Sequence, residues 1–439
     1  MRRPCFWLML YAVAFGAFGV YGGCKPETAR LTPAAPGTAA KRVCISYAYW
    51  AVNVREVAVA RRLKEHFEAA NPSISVRLLE IPQRYYDKLQ TMMAGGEPPD
   101  VFAANYGRLA DFVRAGAVRD LLPLIENKQS LASQYAPATW ESLEALALSL
   151  GKQGLWGLPR DWPPAGLLLY NRDLLAAAGV AEPDGSWTWS QFRRACERVR
   201  AADLPNITPA AINLYPYSVL TWLAQADAPV LGADGSIFPQ PKQAAEAFDF
   251  ILGLWRDGLA KRPDPRHDDS IEQFASGRVA FAFGTFYSLE TCAKIGSFDW
   301  GLAPPLRHRR QACSALPTFL AVSARSQHPE AAFRWARFLS TTGAEVYAEQ
   351  ALAVPAVKSS RAEELFLRMP PLNRARKALR EAVAVSQPPP IHPTVAYERL
   401  ADEIRSGLES MLLGRTDAAG AVMQIRQRLR NGNVAAASR

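Results

Sequence analysis

The side chains most able to do chemistry in this chain follow short apolar runs. Tyr49 and Trp50 end VCISYAYW, with Asn53 just beyond, and Asn105 and Tyr106 end PDVFAANY. Arg160, Asp161 and Trp162 follow GLWGLP, Tyr217 and Trp222 lie in NLYPYSVLTW, and Phe286 and Tyr287 end VAFAFGTFY. Rings offer flat apolar faces and the Asn, Asp and Arg groups offer directed hydrogen bonds. Together they can stack on an apolar face and bond to polar groups. Rim packing of the rings, and a simple ion pair between Arg160 and Asp161, would give the same pattern. Trp156, Trp187, Trp189, Trp255, Trp300 and Trp335 lie in amphipathic or pre-helix contexts and read as packing.

Reactive and cofactor motifs are missing. No two glycines stand at i and i+2, which excludes G-x-G-x-x-G, and there is neither a P-loop nor a G-x-S-x-G elbow. The five histidines form no H-x-x-x-H pair. His267-Asp268-Asp269 is the one clustering of ligand types and reads as a helix start or solvated loop. The expectation is therefore no catalytic residue, no metal and no cofactor. A glycoside hydrolase, which needs only two carboxylates, stays open among 41 acidic residues.

The elements that must position these groups alternate. Val43, Ile45, Tyr47 and Tyr49 repeat at period two over 43–50, and 74–81 alternates again. Val59, Leu63 and Phe67 give 55–70 a helical stripe that stops before Asn71-Pro72. Residues 85–94, 190–202, 243–258 and 329–340 read as helices, and 99–105, 279–284 and 317–325 as strands. Strands separated by helices of this length imply an α/β fold with mostly parallel sheets flanked by helices. In such sheets ligands bind beyond the strand ends, where the residues above fall.

At 439 residues the chain exceeds one ordinary core, so two lobes are expected. Arg2 and Arg3 precede an uncharged run, residues 5–23, then Cys24. This reads as an export signal over 1–23, and Gly22-Gly23-Cys24 resembles the lipobox of bacterial lipoproteins, in which the cysteine is lipidated. Tyr21 stands where that motif usually has Leu, and an uncleaved anchor or an ordinary signal remains open. Each version places the body outside the cytoplasm, in the periplasm or on the outer face of the membrane. Residues 24–42 have a linker composition. The net charge of +10 includes the two signal arginines. The remaining Lys and Arg are scattered, and the dense spots, 307–310 and 425–430, lack the interleaved aromatics of a nucleic-acid groove. No nucleic acid is expected as a partner. Cys44, Cys196, Cys292 and Cys313 could form disulfides in an oxidising compartment or lie buried as small hydrophobes.

PPDVFAANYGRLADFVRAGAVRDL, GLWGLPRDWPPAGLLLYNRDLLAAAGV, FASGRVAFAF and FDWGLAPPL, read in order, give a resemblance across about 43–430. YDKLQTMMAGGEPPDVF, HPEAAFRWARFLS and the closing GRTDAAGAVMQIRQRL extend it. The chain resembles the extracellular solute-binding proteins of bacterial ABC importers, in their sugar-binding group. The resemblance implies the two-lobe periplasmic binding protein fold with a ligand cleft between α/β lobes. It places lobe 1 at 43–159 plus 318–360, lobe 2 at 160–317 plus 361–430, and a tail at 431–439. Crossings would fall near 158–162, 317–319 and 354–357. It implies a monomer that carries a carbohydrate to importer permease subunits, anchored to the membrane through Cys24. An anionic or non-sugar solute is the alternative, motivated by Arg160 and the basic charge.

Overall fold

The computed structural model describes residues 42–437 apart from 233, 262–269, 351 and 369–371. The signal segment, Cys24, most of the 24–42 linker, the His267-Asp268-Asp269 cluster and residues 438–439 lie outside the described residues.

Two sheets organise the chain. The first holds β1 (Val43–Trp50), β2 (Ile74–Ile81), β3 (Val101–Asn105), β4 (Leu158–Asp161) and β11 (Thr318–Val322), in the order β2-β1-β3-β11-β4. The second holds β5 (Pro164–Asn171), β6 (Thr208–Ala211), β7 (Ala260–Lys261), β8 (Val279–Thr285), β9 (Trp300–Ala303), β10 (Cys313–Ala315) and β12 (Ser386–Gln387). It runs β12-β10-β5-β8-β6-β7, with β9 also paired to β5. Helices cover both faces. In Val54–Ala70 the expected stripe is buried as Val59, Ala60, Leu63 and Phe67. Phe67 and Tyr47 meet Trp335 edge-on at ring centroids 5.0 and 5.8 Å apart, which fixes the first core. The second core gathers Phe192, Trp222, Phe281 and Phe283, all nearly inaccessible.

The sheets are mixed, not mostly parallel. β1 pairs parallel with β2 and β3, but β11 is antiparallel to both β3 and β4. β5 is antiparallel to β8, β9 and β10, while β6 pairs parallel with β7 and β8. The reason is the crossings. β3 reaches its sheet's edge at Asn105, and β11 enters at that edge, with Thr318 opposite Asn105 and Asp161. The chain passes from the first sheet to the second between Asp161 and Pro164, and β5 starts beside the end of β8, with Ala165 opposite Thr285. A strand that arrives from the other sheet must head away from the shared edge, antiparallel to strands that finish there.

Further contacts hold the segments around the crossings. The Trp162 amide donates to Val354 O at 2.8 Å, and Pro355 bridges to Asp161. The segment after β12 is gripped by Arg114, whose guanidinium donates to the carbonyls of His392 (2.8 Å), Pro393 (3.2 Å) and Val395 (3.2 Å). His392 Nδ1 accepts from the amides of Thr394 and Val395, both at 3.1 Å, so the proton of the neutral ring sits on Nε2. Burial, with Arg114 adding to it, holds the His392 pKa below its ordinary value against an opposing hydrogen bond to the Gly235 backbone. A depressed histidine contributes stability above its unfolded pKa, about 6.5, and loses it as pH falls below that value. Denaturation followed from about pH 7 to 5.5 should show that loss, and His392→Asn, which keeps an acceptor without the titration, should flatten it. An unchanged slope in the variant would remove His392 from the account.

No disulfide forms among the described residues. Cys44 is exposed, whereas Cys196, Cys292 and Cys313 are buried free thiols, and burial raises the Cys292 pKa to about 12. The basic run at 307–310 serves the fold. His308 and Arg309 bind Glu246 at 2.8 and 2.7 Å, His308 stacks on Trp189 at 4.1 Å, and Arg310 donates to Ala224 O. No helix among the described residues is long and apolar enough to cross a membrane.

Candidate functional site

A cavity of about 500 Å3 lies between the two sheets' facing edges. The wall on the first sheet's side begins where β1 and β3 end and helices begin. Asn53 caps Val54–Ala70 by accepting the Glu56 amide at 3.0 Å, and Asn105 caps Tyr106–Arg114 by accepting the Arg108 amide at 3.0 Å. Two helix N-termini therefore face the cleft, each with a partial positive charge. Both asparagines line the cavity, with their side-chain oxygens already engaged in capping.

Trp50 forms the flattest part of this wall. Its ring packs on Tyr85 (4.5 Å between centroids) and Tyr86 (5.8 Å). Tyr85 is fixed from behind, donating to Ala48 O (3.0 Å) and Ala103 O (2.8 Å), and Tyr86 Oη accepts the Asn105 amide at 3.0 Å. A braced aromatic surface of this kind loses little entropy when a ring-shaped solute stacks on it. The facing wall comes from Phe286, Tyr287 and Glu290 after β8.

The floor is a buried ion pair. Arg160 Nε lies 2.6 Å from Asp161 Oδ2; the Asp161 side chain is fully buried and that of Arg160 is 12% exposed. The guanidinium also sits over the Tyr347 ring at 5.2 Å. Burial pushes the Asp161 carboxyl up while Arg160 and Thr318 pull it down. Asp161 Oδ1 has no partner at hydrogen-bonding geometry. Burial likewise raises the pKa of Glu56, which lines the cavity and accepts the Val52 amide at 3.0 Å.

Of the residues singled out in the sequence, Trp50, Asn53, Asn105, Arg160, Phe286 and Tyr287 line this cavity. Asp161 supports Arg160 beneath it. Five others stand elsewhere. Tyr49 alternates away from Trp50 and stacks under the sheet on Tyr47 at 5.4 Å. Tyr106 is buried, donating to Ser142 O at 2.7 Å. Trp162 is buried and donates to Ser386 Oγ at 2.8 Å, tying the crossing to β12. Trp222 is 1% exposed in the second core. Tyr217 stacks with Tyr215 at 5.8 Å outside the cavity lining. Sequence reading missed Arg55, Glu56, Tyr86, Glu290 and Thr318, which line it. Arg55 and Glu56 were findable, since they lie two and three residues after the capping Asn53, in the first turn of the helix it starts.

A second cavity, of about 540 Å3, lies beside Tyr170, Arg172 and Trp300. Its arginine is held by Glu182 (3.0 Å), Asp299 (3.1 Å) and Trp300 O (3.0 Å). It touches only the second sheet and its helices, so relative movement of the two sheets would not close it. Among the described residues no group of three or more His, Cys, Asp or Glu is placed to hold a metal ion.

The sequence profile described as bacterial extracellular solute-binding protein matches residues 51–346, about two thirds of the chain. A curated relative, an uncharacterised lipoprotein in the oleD 5′ region of Streptomyces antibioticus, is 30% identical over 146 residues. That alignment spans 33% of this chain and 30% of the relative's length. Solved structures agree over far more of the fold. An ABC substrate-binding protein of Listeria monocytogenes in complex with cycloalternan has a TM-score of 0.75 at 21% identity, covering 89% of this chain and 99% of its own. The GacH receptor of Streptomyces glaucescens, solved unliganded and with acarbose, gives 0.73 at 19% identity, covering 89% and 98%. The sugar-binding protein MalE of Xanthomonas citri gives 0.72 at 20%, covering 88% and 96%. The architecture is thus the two-lobe periplasmic binding protein fold.

Proposed function

Since this chain belongs to the bacterial extracellular solute-binding protein family, we propose that its cleft captures a neutral carbohydrate and hands it to an ABC importer. Lobe closure delivers it: a solute that touches both walls binds the closed arrangement better than the open one and shifts the population towards it. The lobes are taken as 43–159 with 318–360 and 160–317 with 361–430. Binding occurs without turnover, outside the cytoplasm, in a monomer tethered through a lipidated Cys24, as the lipoprotein relative also suggests. Permease subunits of the importer are the protein partners.

The observation that carries the carbohydrate reading is the pairing of charge around a braced aromatic wall. Arg160, the residue that had favoured an anionic solute, is neutralised by Asp161, and Arg55 lies 2.8 Å from Glu290. Among the described residues no cation lining this cavity is left over for a carboxylate or phosphate, and Glu56 would oppose one. What remains is stacking on Trp50 and Tyr86 plus polar groups suited to hydroxyls. Cavities of this volume hold small organic ligands.

Titration calorimetry tests this with neutral oligosaccharides, cycloalternan and acarbose among them, set against uronic-acid counterparts. Heat should come from a neutral sugar and not from its uronate, and the reverse would reinstate the anionic alternative. Trp50→Ala should weaken the same sugar by about thirtyfold or more, the scale of a central aromatic anchor. Unchanged affinity in that variant would remove Trp50 from the platform.

A further inference from the structure

One charged pair at the cavity reaches from lobe to lobe. Arg55 stands in the first turn of helix Val54–Ala70, and its Nη2 lies 2.8 Å from Oε1 of Glu290, on helix Ser288–Cys292 after β8. Both side chains line the cavity, with 39% and 44% of their surface exposed. The placement of Arg55 breaks a local rule. A cation in the first helical turn meets the positive end of the macrodipole and weakens its own helix. Sequence choices that run against a local rule call for a compensating gain. Here the gain is not within the lobe, because the adjacent acid, Glu56, is turned back to the Val52 amide. Glu290 is meanwhile steadied by Lys294 one turn on, at 3.7 Å.

We propose that Arg55 and Glu290 form a latch that holds the lobes together over the cavity whether or not solute is present. It rests on the reading of the cavity as the solute site. The two residues belong to opposite walls, so any opening of the cleft separates them and the pair stabilises the closed arrangement alone. Two consequences follow by linkage. The empty protein has a larger closed fraction than it would without the pair, and solute is bound more tightly by up to the same factor. For an exposed pair that factor is about two- to fivefold. The latch thus differs from a solute contact, which would leave the empty protein's opening untouched.

Single-molecule fluorescence transfer, with one dye on each lobe, measures the open and closed populations of the empty protein. The dyes go on introduced cysteines in a Cys44→Ser background, since Cys44 is the exposed thiol among the described residues. Arg55→Glu and Glu290→Arg should each lower the closed-to-open ratio by at least about two- to fivefold. The double exchange should bring it back towards wild type. Unchanged ratios in the single variants would overturn the latch, as would a double variant whose losses simply add. No sugar enters this measurement. A failed carbohydrate reading therefore shows in calorimetry alone, and a failed latch shows in these populations alone.

Discussion

Arg160→Ala should destabilise the protein by about 3–5 kcal/mol at neutral pH, the loss typical of breaking a buried ion pair from one side. The substitution leaves the Asp161 carboxylate fully buried and without its guanidinium, with Thr318 alone left to offset the burial. It also removes the cation over Tyr347 and opens the cavity floor, so carbohydrate affinity should fall along with stability. The pH dependence identifies the cause. Burial already raises the Asp161 carboxyl, and without Arg160 its pKa must rise further. A carboxyl raised in the folded state destabilises above its folded pKa and ceases to do so below its unfolded value, about 3.9. Denaturant titrations of wild type and variant should therefore converge as pH is lowered. A loss below about 1 kcal/mol, the level of an exposed pair, would mean that the pair is not buried as described.

Trp222→Ala should cost about 3–5 kcal/mol of stability, the range for deleting a large aromatic from a packed core. The ring is enclosed by Phe283 (4.9 Å between centroids), Trp189 (5.4 Å) and Phe250 (5.4 Å). Because it does not line the cavity, the folded variant should bind carbohydrate within a few-fold of wild type. Trp50→Ala should do the opposite, sparing stability and removing affinity. Chemical denaturation and calorimetry on the two variants give a crossed pattern, and the same phenotype in both would merge the two tryptophans into one role.

These two tryptophans also mark where the sequence was legible. Both follow strand-like runs and contain the same chemistry, so type and position alone could not separate them. Trp50 ends β1 on the cleft-facing side of the pleat, while Trp222 lies inside helix Pro216–Gln225 with its face turned to the second sheet. The one-dimensional pattern shows that a ring stands near a strand end, but the face it takes depends on register. Tyr49 and Trp50, adjacent in sequence, show this most simply, since neighbours on a strand point to opposite sides. Periodicity located β1, β2, β3, β8 and β11 and helices such as Val54–Ala70, Trp189–Ala201 and Pro241–Arg256, because burial of a stripe or a face is a local property. Strand direction was not local. It followed from where the chain crosses between sheets, and a resemblance that put one crossing near 158–162 carried no direction for β5. Arg160 and Asp161 were visible as a pair, yet their burial beside Tyr347 and Thr318, which the proposed neutral-solute reading rests on, was not.

The most direct test of the account is a crystal structure of the protein purified with the solute it carries from its own cell. An uncharged carbohydrate is expected between the lobes, stacked on Trp50 or Tyr86, with Phe286 and Tyr287 closing from the other side. An anionic solute bonded to Arg160, or a solute in the cavity beside Tyr170 and Trp300, would contradict it.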